Sequence, residues 1–145
     1  MIYQVDTNIV IHYLRESDVM RKVEQQFNPF GQGNEIWICV VSLGELKSMA
    51  IQAKWGVKRQ QQLIRLLEML NPIDIWAEDI LDLYAEIDAF SQNKLPDRPL
   101  GLTARNMGKN DLWIAATASI LGAQLITTDA DFDHLGVEYL KLGKV

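Results

Sequence analysis

Cysteine occurs once among the 145 residues, as Cys39. A single thiol excludes an intramolecular disulfide framework and any Cys-rich zinc site. Basic charge is also short: fourteen Lys+Arg face nineteen Asp+Glu, a formal net charge of −5 that the two histidines barely alter. A chain with that balance does not grip a polyanion by broad phosphate neutralisation, so work on one would need local basic patches or bound metal ions. Long apolar runs are missing too. The longest, Ile36–Val41, falls far short of the ~20 residues needed to cross a bilayer. Met1 leads through a short apolar run straight to Asp6, without the charged and apolar regions of a secretory signal. These features predict a soluble protein of the reducing cytoplasm. With 48% apolar and 23% charged residues, the length suits one domain over residues 1–145.

Short β-like runs alternate with stretches of helical period, the pattern of an α/β domain with a mainly parallel sheet. Strands are expected at Ile2–Val5, Ile36–Val41, Ile73–Trp76, Gln124–Thr128 and Val137–Leu142. Helices are expected at Asn8–Leu14, Val19–Phe27, from Ser42 towards Gly56, Lys58–Leu70, Ala77–Gln92 and Asp111–Leu121. Leu95–Gly108 holds Pro96, Pro99, Gly101 and Gly108, has no period and reads as a long functional loop. Charge is segregated: Lys47, Lys54, Lys58, Arg59 and Arg65 lie in a stretch with no acid, whereas Asp74–Asp88 contains six acids and no base. Two solvated helix faces explain this most simply; a basic track for phosphates is the functional alternative.

The acids matter more for their position than their number. Asp6 directly follows the first strand, Glu45 lies just past the second, Asp111 opens an apolar helix, and Asp129 follows Leu125-Ile126-Thr127-Thr128 with Asp131 two residues on. In a parallel sheet all the carboxyl ends of the strands lie along one edge, so these acids are expected to converge in one crevice. Two carboxylates ~4 Å apart repel by about 4 kcal/mol at an effective dielectric of 20. Helix N-termini at Asn8, Glu45 and Asp111 soften this only in part. A hard divalent cation offsets it best, and a donor set of oxygens without Cys or His favours Mg²⁺ or Mn²⁺ over zinc. Such a cluster suits phosphodiester hydrolysis. Each acid also has a plainer role: Asp6 as a helix N-cap, Glu45 as capping-box partner of Ser42, Asp111 as a first-turn acid, Asp129 and Asp131 as turn residues. One shared site accounts for all of them together.

Four segments carry a family resemblance: Val5-Asp6-Thr7-Asn8, Ser42-Leu43-Gly44-Glu45-Leu46, Asn110-Asp111-Leu112-Trp113-Ile114-Ala115-Ala116-Thr117-Ala118 and Leu125-Ile126-Thr127-Thr128-Asp129-Ala130-Asp131-Phe132. Together, in this order, they resemble the PIN-domain ribonucleases, and more closely the VapC toxins of bacterial toxin–antitoxin pairs. The resemblance implies a three-layer α/β/α sandwich with a parallel sheet. It also implies RNA cleavage with Mg²⁺ or Mn²⁺, a homodimer, and an antitoxin protein whose tail covers the groove. Its acidic quartet falls on Asp6, Glu45, Asp111 and Asp129, with Asp131 as a less regular fifth member. Asp6 and Asp111 would bind the principal metal, Glu45 and Asp129 complete the site, and Asp131 tune a second ion. Asn8 and Thr127 or Thr128 would support the ligands.

Lys47, Arg105 and Lys109 are candidate phosphate contacts, Lys47 and Lys109 each lying two residues from an acid of the quartet; exposed surface cations are the plainer reading. Neither histidine is expected to catalyse: His12 reads as a hydrogen-bonded, half-buried imidazole and His134 as a turn residue. Cys39 reads as a buried small side chain and the four tryptophans as core or dimer-face packing. A haloacid-dehalogenase site would need a second Asp where Asn8 stands. The remaining rival is a catalytically silent binding or interaction module on the same fold.

Overall fold

The computed structural model describes residues 1–145. Five strands, β1 (Ile2–Val5), β2 (Glu35–Cys39), β3 (Asn71–Ile73), β4 (Gln124–Thr127) and β5 (Lys141–Lys144), form one sheet in the order β3-β2-β1-β4-β5. Every neighbouring pair is parallel. Six helices surround it: α1 (Thr7–Arg15), α2 (Asp18–Gln26), α3 (Val40–Gln52), α4 (Val57–Leu67), α5 (Glu78–Ser91) and α6 (Lys109–Leu121), with a 3-10 turn at Ala130–Leu135. No helix is long and apolar enough to cross a membrane.

Alternation along the strands builds two cores. Tyr3, Val5, Ile36, Ile38 and Ile126 pack on one face with Ile9, Val10, Val23, Leu46 and Leu63 from α1–α4. Cys39 and Leu125 pack on the other with Ile87, Phe90, Leu112 and Ala115 from α5 and α6, and with Phe132 of the 3-10 turn. Coverage of both faces makes the α/β/α sandwich and explains why β2 buries Ile36, Ile38 and Cys39 and β4 buries Leu125 and Ile126 on both sides of the sheet. Helix α6 is buried over most of its circumference, through Leu112, Ile114–Ala116 and Ala118, because it lies between the sheet and α5. Its alanines let both neighbours approach closely. The chain leaves α6 through Gly122, whose φ of 63° is left-handed backbone that glycine adopts without a Cβ clash.

Gln4 is the polar exception at the centre of the sheet. Its Nε2 donates to the Ile114 carbonyl at 3.0 Å and to Thr117 Oγ1 at 2.9 Å, while Oε1 is buried without a partner. Thr117 bonds to the Trp113 and Ile114 carbonyls independently of Gln4. Gln4→Leu removes an orphaned acceptor along with the donor, and an apolar side chain of similar size is close to neutral in such a place. Urea denaturation of this variant is expected to give a stability within about 1 kcal/mol of the parent.

Three strand boundaries depart from expectation. β2 ends at Cys39, and Val40–Val41 open α3 instead of continuing the strand. β3 starts at Asn71 and contains Pro72, because β3 is an edge strand and needs no N–H towards solvent. The last strand is Lys141–Lys144, not Val137–Leu142: the 3-10 turn and the turn after it use up the chain as far as Leu140. Strand β5 also runs close to Phe27, where a Cβ on Gly143 would meet the ring at 3.0 Å. Cys39 is buried as expected, but Trp76 is 84% exposed and belongs to no core.

Candidate active site

Strand order reverses at the β1–β4 pair: the chain runs outward from β1 through β2 to β3, then returns across the sheet to β4. A crevice at the carboxyl edge of such a switch point is the usual ligand site of open α/β sheets. Asp6 lies there at the end of β1 and is the N-cap of α1, with Oδ1 accepting from the Ile9 N–H at 3.0 Å. Its other oxygen accepts from the Thr127 hydroxyl at the end of β4. One side chain therefore caps α1 and ties β1 to the end of β4. Asp6 is 4% exposed, and burial first of all raises its pKa against the opposing pull of the Thr127 and Ile9 bonds.

Thr127 is the bridge between the strand ends. Wholly buried, it donates to Asp6 and accepts from the Asp129 N–H at 3.0 Å. Asp129 then caps the 3-10 turn, with Oδ1 accepting from the Asp131 N–H at 2.8 Å. Thr128 is half-buried and makes no side-chain hydrogen bond, so of the two expected threonines it is Thr127 that orients carboxylates.

Asp111 sits in the first turn of α6, after the N-cap Gly108. Carboxylate oxygens of Asp111, Asp129 and Asp131 all lie within 4.8 Å of one another. Burial, followed by the charges of Asp129, Asp131, Glu45 and Asp6, pushes the Asp111 pKa up to about 6. All four other sequence-selected acids are thus within electrostatic reach of Asp111, although the tight triad contains Asp131 and leaves Asp6 and Glu45 outside it. A close set of hard oxygen donors with unrelieved mutual repulsion fits Mg²⁺ or Mn²⁺ in donor chemistry.

Glu45 arrives differently from expectation. Helix α3 begins at Val40 with Cys39 as N-cap and no side-chain cap. Glu45 is therefore in the second turn, and Ser42 is inside the helix, so no capping box forms. Instead Glu45 Oε1 accepts from Thr7 Oγ1 at 2.8 Å, and Thr7 Oγ1 is 2.9 Å from the buried Ser42 Oγ. Thr7 has one hydroxyl proton, which goes to the carboxylate, so Ser42 donates to Thr7. Thr7 and Ser42 were missing from the expected set. Their signal was present in the spacing, a hydroxyl directly after Asp6 and another three residues before Glu45 on the same helix face. Asn8 is exposed, and its backbone N–H helps to hold the Asp6 carboxylate.

The candidate cations divide. Lys109 lines an open cavity of about 330 Å³ together with Glu45, Gly108, Asn110 and Asp111. Lys47 faces another groove, between α3 and α4, with Ala50, Ile51 and Leu63. Arg105 is exposed on the loop before α6, its N–H bonded to the Ser91 carbonyl at 2.7 Å. None of the three is engaged in an ion pair. His12 Nδ1 is 2.9 Å from Ser17 Oγ, the hydrogen-bonded imidazole expected of it.

Residues 3–138 match the model described as PIN domain, and the chain belongs to that family. Within it, the chain is similar to Ribonuclease VapC1 of Haemophilus influenzae strain R2866, with 28% identity over 127 residues, 88% of this chain and 86% of the relative. Ribonuclease VapC1 of the Rd strain is 27% identical over the same length. Among solved structures, VapBC2 from Rickettsia felis bound to a promoter DNA fragment superposes with a TM-score of 0.74 at 26% identity, covering 99% of this chain and 98% of that one. VapBC-1 from nontypeable Haemophilus influenzae, at 24% identity and a TM-score of 0.73 over 99% of this chain and 98% of its own, shares the fold.

Proposed function

We propose that this chain is an endoribonuclease that hydrolyses RNA phosphodiester bonds with Mg²⁺ or Mn²⁺, as the toxin of a toxin–antitoxin pair. Residues 1–145 would form one PIN domain acting in the cytoplasm as a homodimer, restrained by a cognate antitoxin protein. The observation that carries the reading is the Asp111–Asp129–Asp131 triad at the sheet's switch point, with Asp6 and Glu45 beside it. The names of the Haemophilus influenzae ribonucleases support RNA as substrate, and the Rickettsia felis VapBC2 structure supports a protein partner.

Asp111, Asp129 and Asp131 would hold the ion. When bound, a hard divalent cation supplies Lewis-acid stabilisation for the charge that builds on the phosphoryl oxygens. Asp6, fixed by Thr127 and the start of α1, keeps a buried carboxyl group near Asp111 and Asp129. Glu45, fixed by Thr7, presents its carboxylate on the cavity that Asp111 and Lys109 share. Lys109 is placed to take a phosphate oxygen on that rim and to offset the excess of negative charge. The Asp129 N–H is held by Thr127 Oγ1 and the Asp131 N–H by Asp129 Oδ1, which fixes the Asp129 carboxylate before any ligand arrives.

Incubation of the purified protein with end-labelled RNA pools tests the reading. Cleavage is expected with Mn²⁺ or Mg²⁺ and none with EDTA, and Asp129→Asn is expected to slow it by about 100-fold. Folded wild-type protein that cuts no RNA in Mn²⁺ would refute the nuclease and leave the silent binding module.

A further inference from the structure

Outside the acidic cluster, Ser91 is where three separate segments meet. It is the last residue of α5 and 0% exposed. Its carbonyl accepts from the Arg105 N–H at 2.7 Å, and its hydroxyl is 3.3 Å from Met107 Sδ and 2.8 Å from His134 Nε2. Met107 is buried two residues before α6, which carries Asp111. His134 belongs to the 3-10 turn that Asp129 caps and that carries Asp131. One buried hydroxyl thus links the end of α5, the approach to Asp111 and the turn bearing the other two acids of the triad.

The proton can be assigned on chemical grounds. A thioether is a weak acceptor and an imidazole nitrogen a good one, so the Ser91 hydroxyl donates to Nε2 and the ring proton lies on Nδ1. Nδ1 is buried and makes no hydrogen bond of its own. Ser91 is therefore the ring's only side-chain hydrogen-bond partner, and with the Asp131 main chain beside the ring it sets the ring's orientation. The ring is also near enough to Arg105 to feel its charge. On the same turn, Phe132 and Leu135 are wholly buried against the α5–α6 core, so a shift of the ring is passed to a rigid six-residue unit and not absorbed by a loose loop.

We infer that Ser91 and His134 are positioning residues that set the spacing of Asp129 and Asp131 against Asp111, and so the affinity of the metal site. The inference rests on the triad's being a cation site, as proposed above. Groups behind a ligand shell commonly govern metal affinity by 10–100-fold, roughly the range in which this joint should act. The same contact fixes the main chain at Arg105, so metal binding and the placement of that cation share one anchor.

Titration calorimetry of the purified, metal-free protein with MnCl₂, with no RNA present, tests this directly. Ser91→Ala and His134→Leu are each expected to weaken Mn²⁺ binding by about 10-fold, while His134→Gln, whose amide reaches the Nε2 position, is expected to stay within about 3-fold of wild type. Melting in EDTA is followed alongside. Variants that melt earlier yet bind Mn²⁺ as wild type does would reduce the joint to packing and overturn the inference. If Ser91→Ala does not fold, the histidine pair decides: equal affinities for His134→Leu and His134→Gln overturn it, and a loss confined to His134→Leu supports it. Wild-type protein that binds no Mn²⁺ would bring down the metal site itself, and the joint with it. Normal binding by wild type and all variants would remove the joint alone.

Discussion

Asp111→Asn is expected to fold, to lose RNA cleavage and, without metal, to melt at a higher temperature than wild type. The activity loss follows from taking one carboxylate out of a triad whose oxygens lie within 4.8 Å of one another. Forfeiting about 4 kcal/mol of transition-state stabilisation corresponds to a loss on the order of 1,000-fold in rate. The stability gain follows from the raised pKa of about 6, against 3.8 for an ordinary Asp. A carboxyl whose pKa is higher in the folded chain binds its proton there more tightly than in the unfolded chain. Stability therefore falls as pH rises from 3.8 to about 6, and above that window the full penalty remains. Asn carries no such penalty.

Solvent still reaches Asp111, and the first turn of α6 favours its charge, so the penalty is smaller than the raised pKa alone implies. About 1 kcal/mol is then left, or roughly 3–5 °C in melting temperature. The gain is expected in EDTA at about pH 7.5 and should vanish near pH 3.5, below both pKa values. Added Mn²⁺ should reverse the ranking, because only wild type gains from a bound ligand. Calorimetric melts at the two pH values, with and without Mn²⁺, check each sign. A large drop in melting temperature at every pH would make Asp111 a structural residue of the helix start.

Thr127→Val should produce the largest loss of stability of any near-isosteric change in the site. The valine keeps the shape and removes both the donor to the buried Asp6 carboxylate and the acceptor for the Asp129 N–H. Hydrogen bonds to charged groups contribute about 1.5–3 kcal/mol, and the orphaned N–H adds to the cost, so about 3 kcal/mol is expected at neutral pH. The sign of the pH dependence is fixed by Asp6. Burial already raises its pKa, and the Thr127 bond pulls it down. Without the bond the ionised form is penalised further, so the deficit against wild type should shrink as pH falls and Asp6 takes up a proton. Urea denaturation at about pH 7.5 and about pH 4 measures the difference. Equal deficits at both values would show that the hydroxyl only fills space.

Much of this architecture is visible in the chain because parallel sheets bury both faces. The apolar strands, the helical stripes and the position of each acid at an element end all come from local pattern, and they put Asp6, Glu45, Asp111, Asp129 and Asp131 in one crevice once the sheet closes. The departures have identifiable causes. Pro72 reads as a breaker but sits on an edge where its missing N–H costs nothing. Ser42-Leu43-Gly44-Glu45 has the composition of a capping box, yet Val40 and Val41 begin the helix one turn sooner because Cys39 already completes the strand. Lys-Leu-Gly-Lys offers no β-branched residue, and β5 exists only through its pairing with β4 and its fit against Phe27. The bonds made by Thr7, Ser42 and Ser91 are harder to read from the chain for another reason. A lone Ser or Thr carries no period, and its role depends on partners 35, 38 or 43 positions away.

The insertion of β4 beside β1 has a consequence for biosynthesis. Asp6, Glu45 and Asp111 leave the ribosome well before Asp129 and Asp131, yet Asp6 meets its Thr127 partner only when β4 docks against the first strand to emerge. A nascent chain, or a product cut short before Thr127, contains three of the five acids and leaves Asp6 with its helix-capping bond but without the Thr127 hydroxyl. Assembly of the centre thus waits on late-synthesised residues.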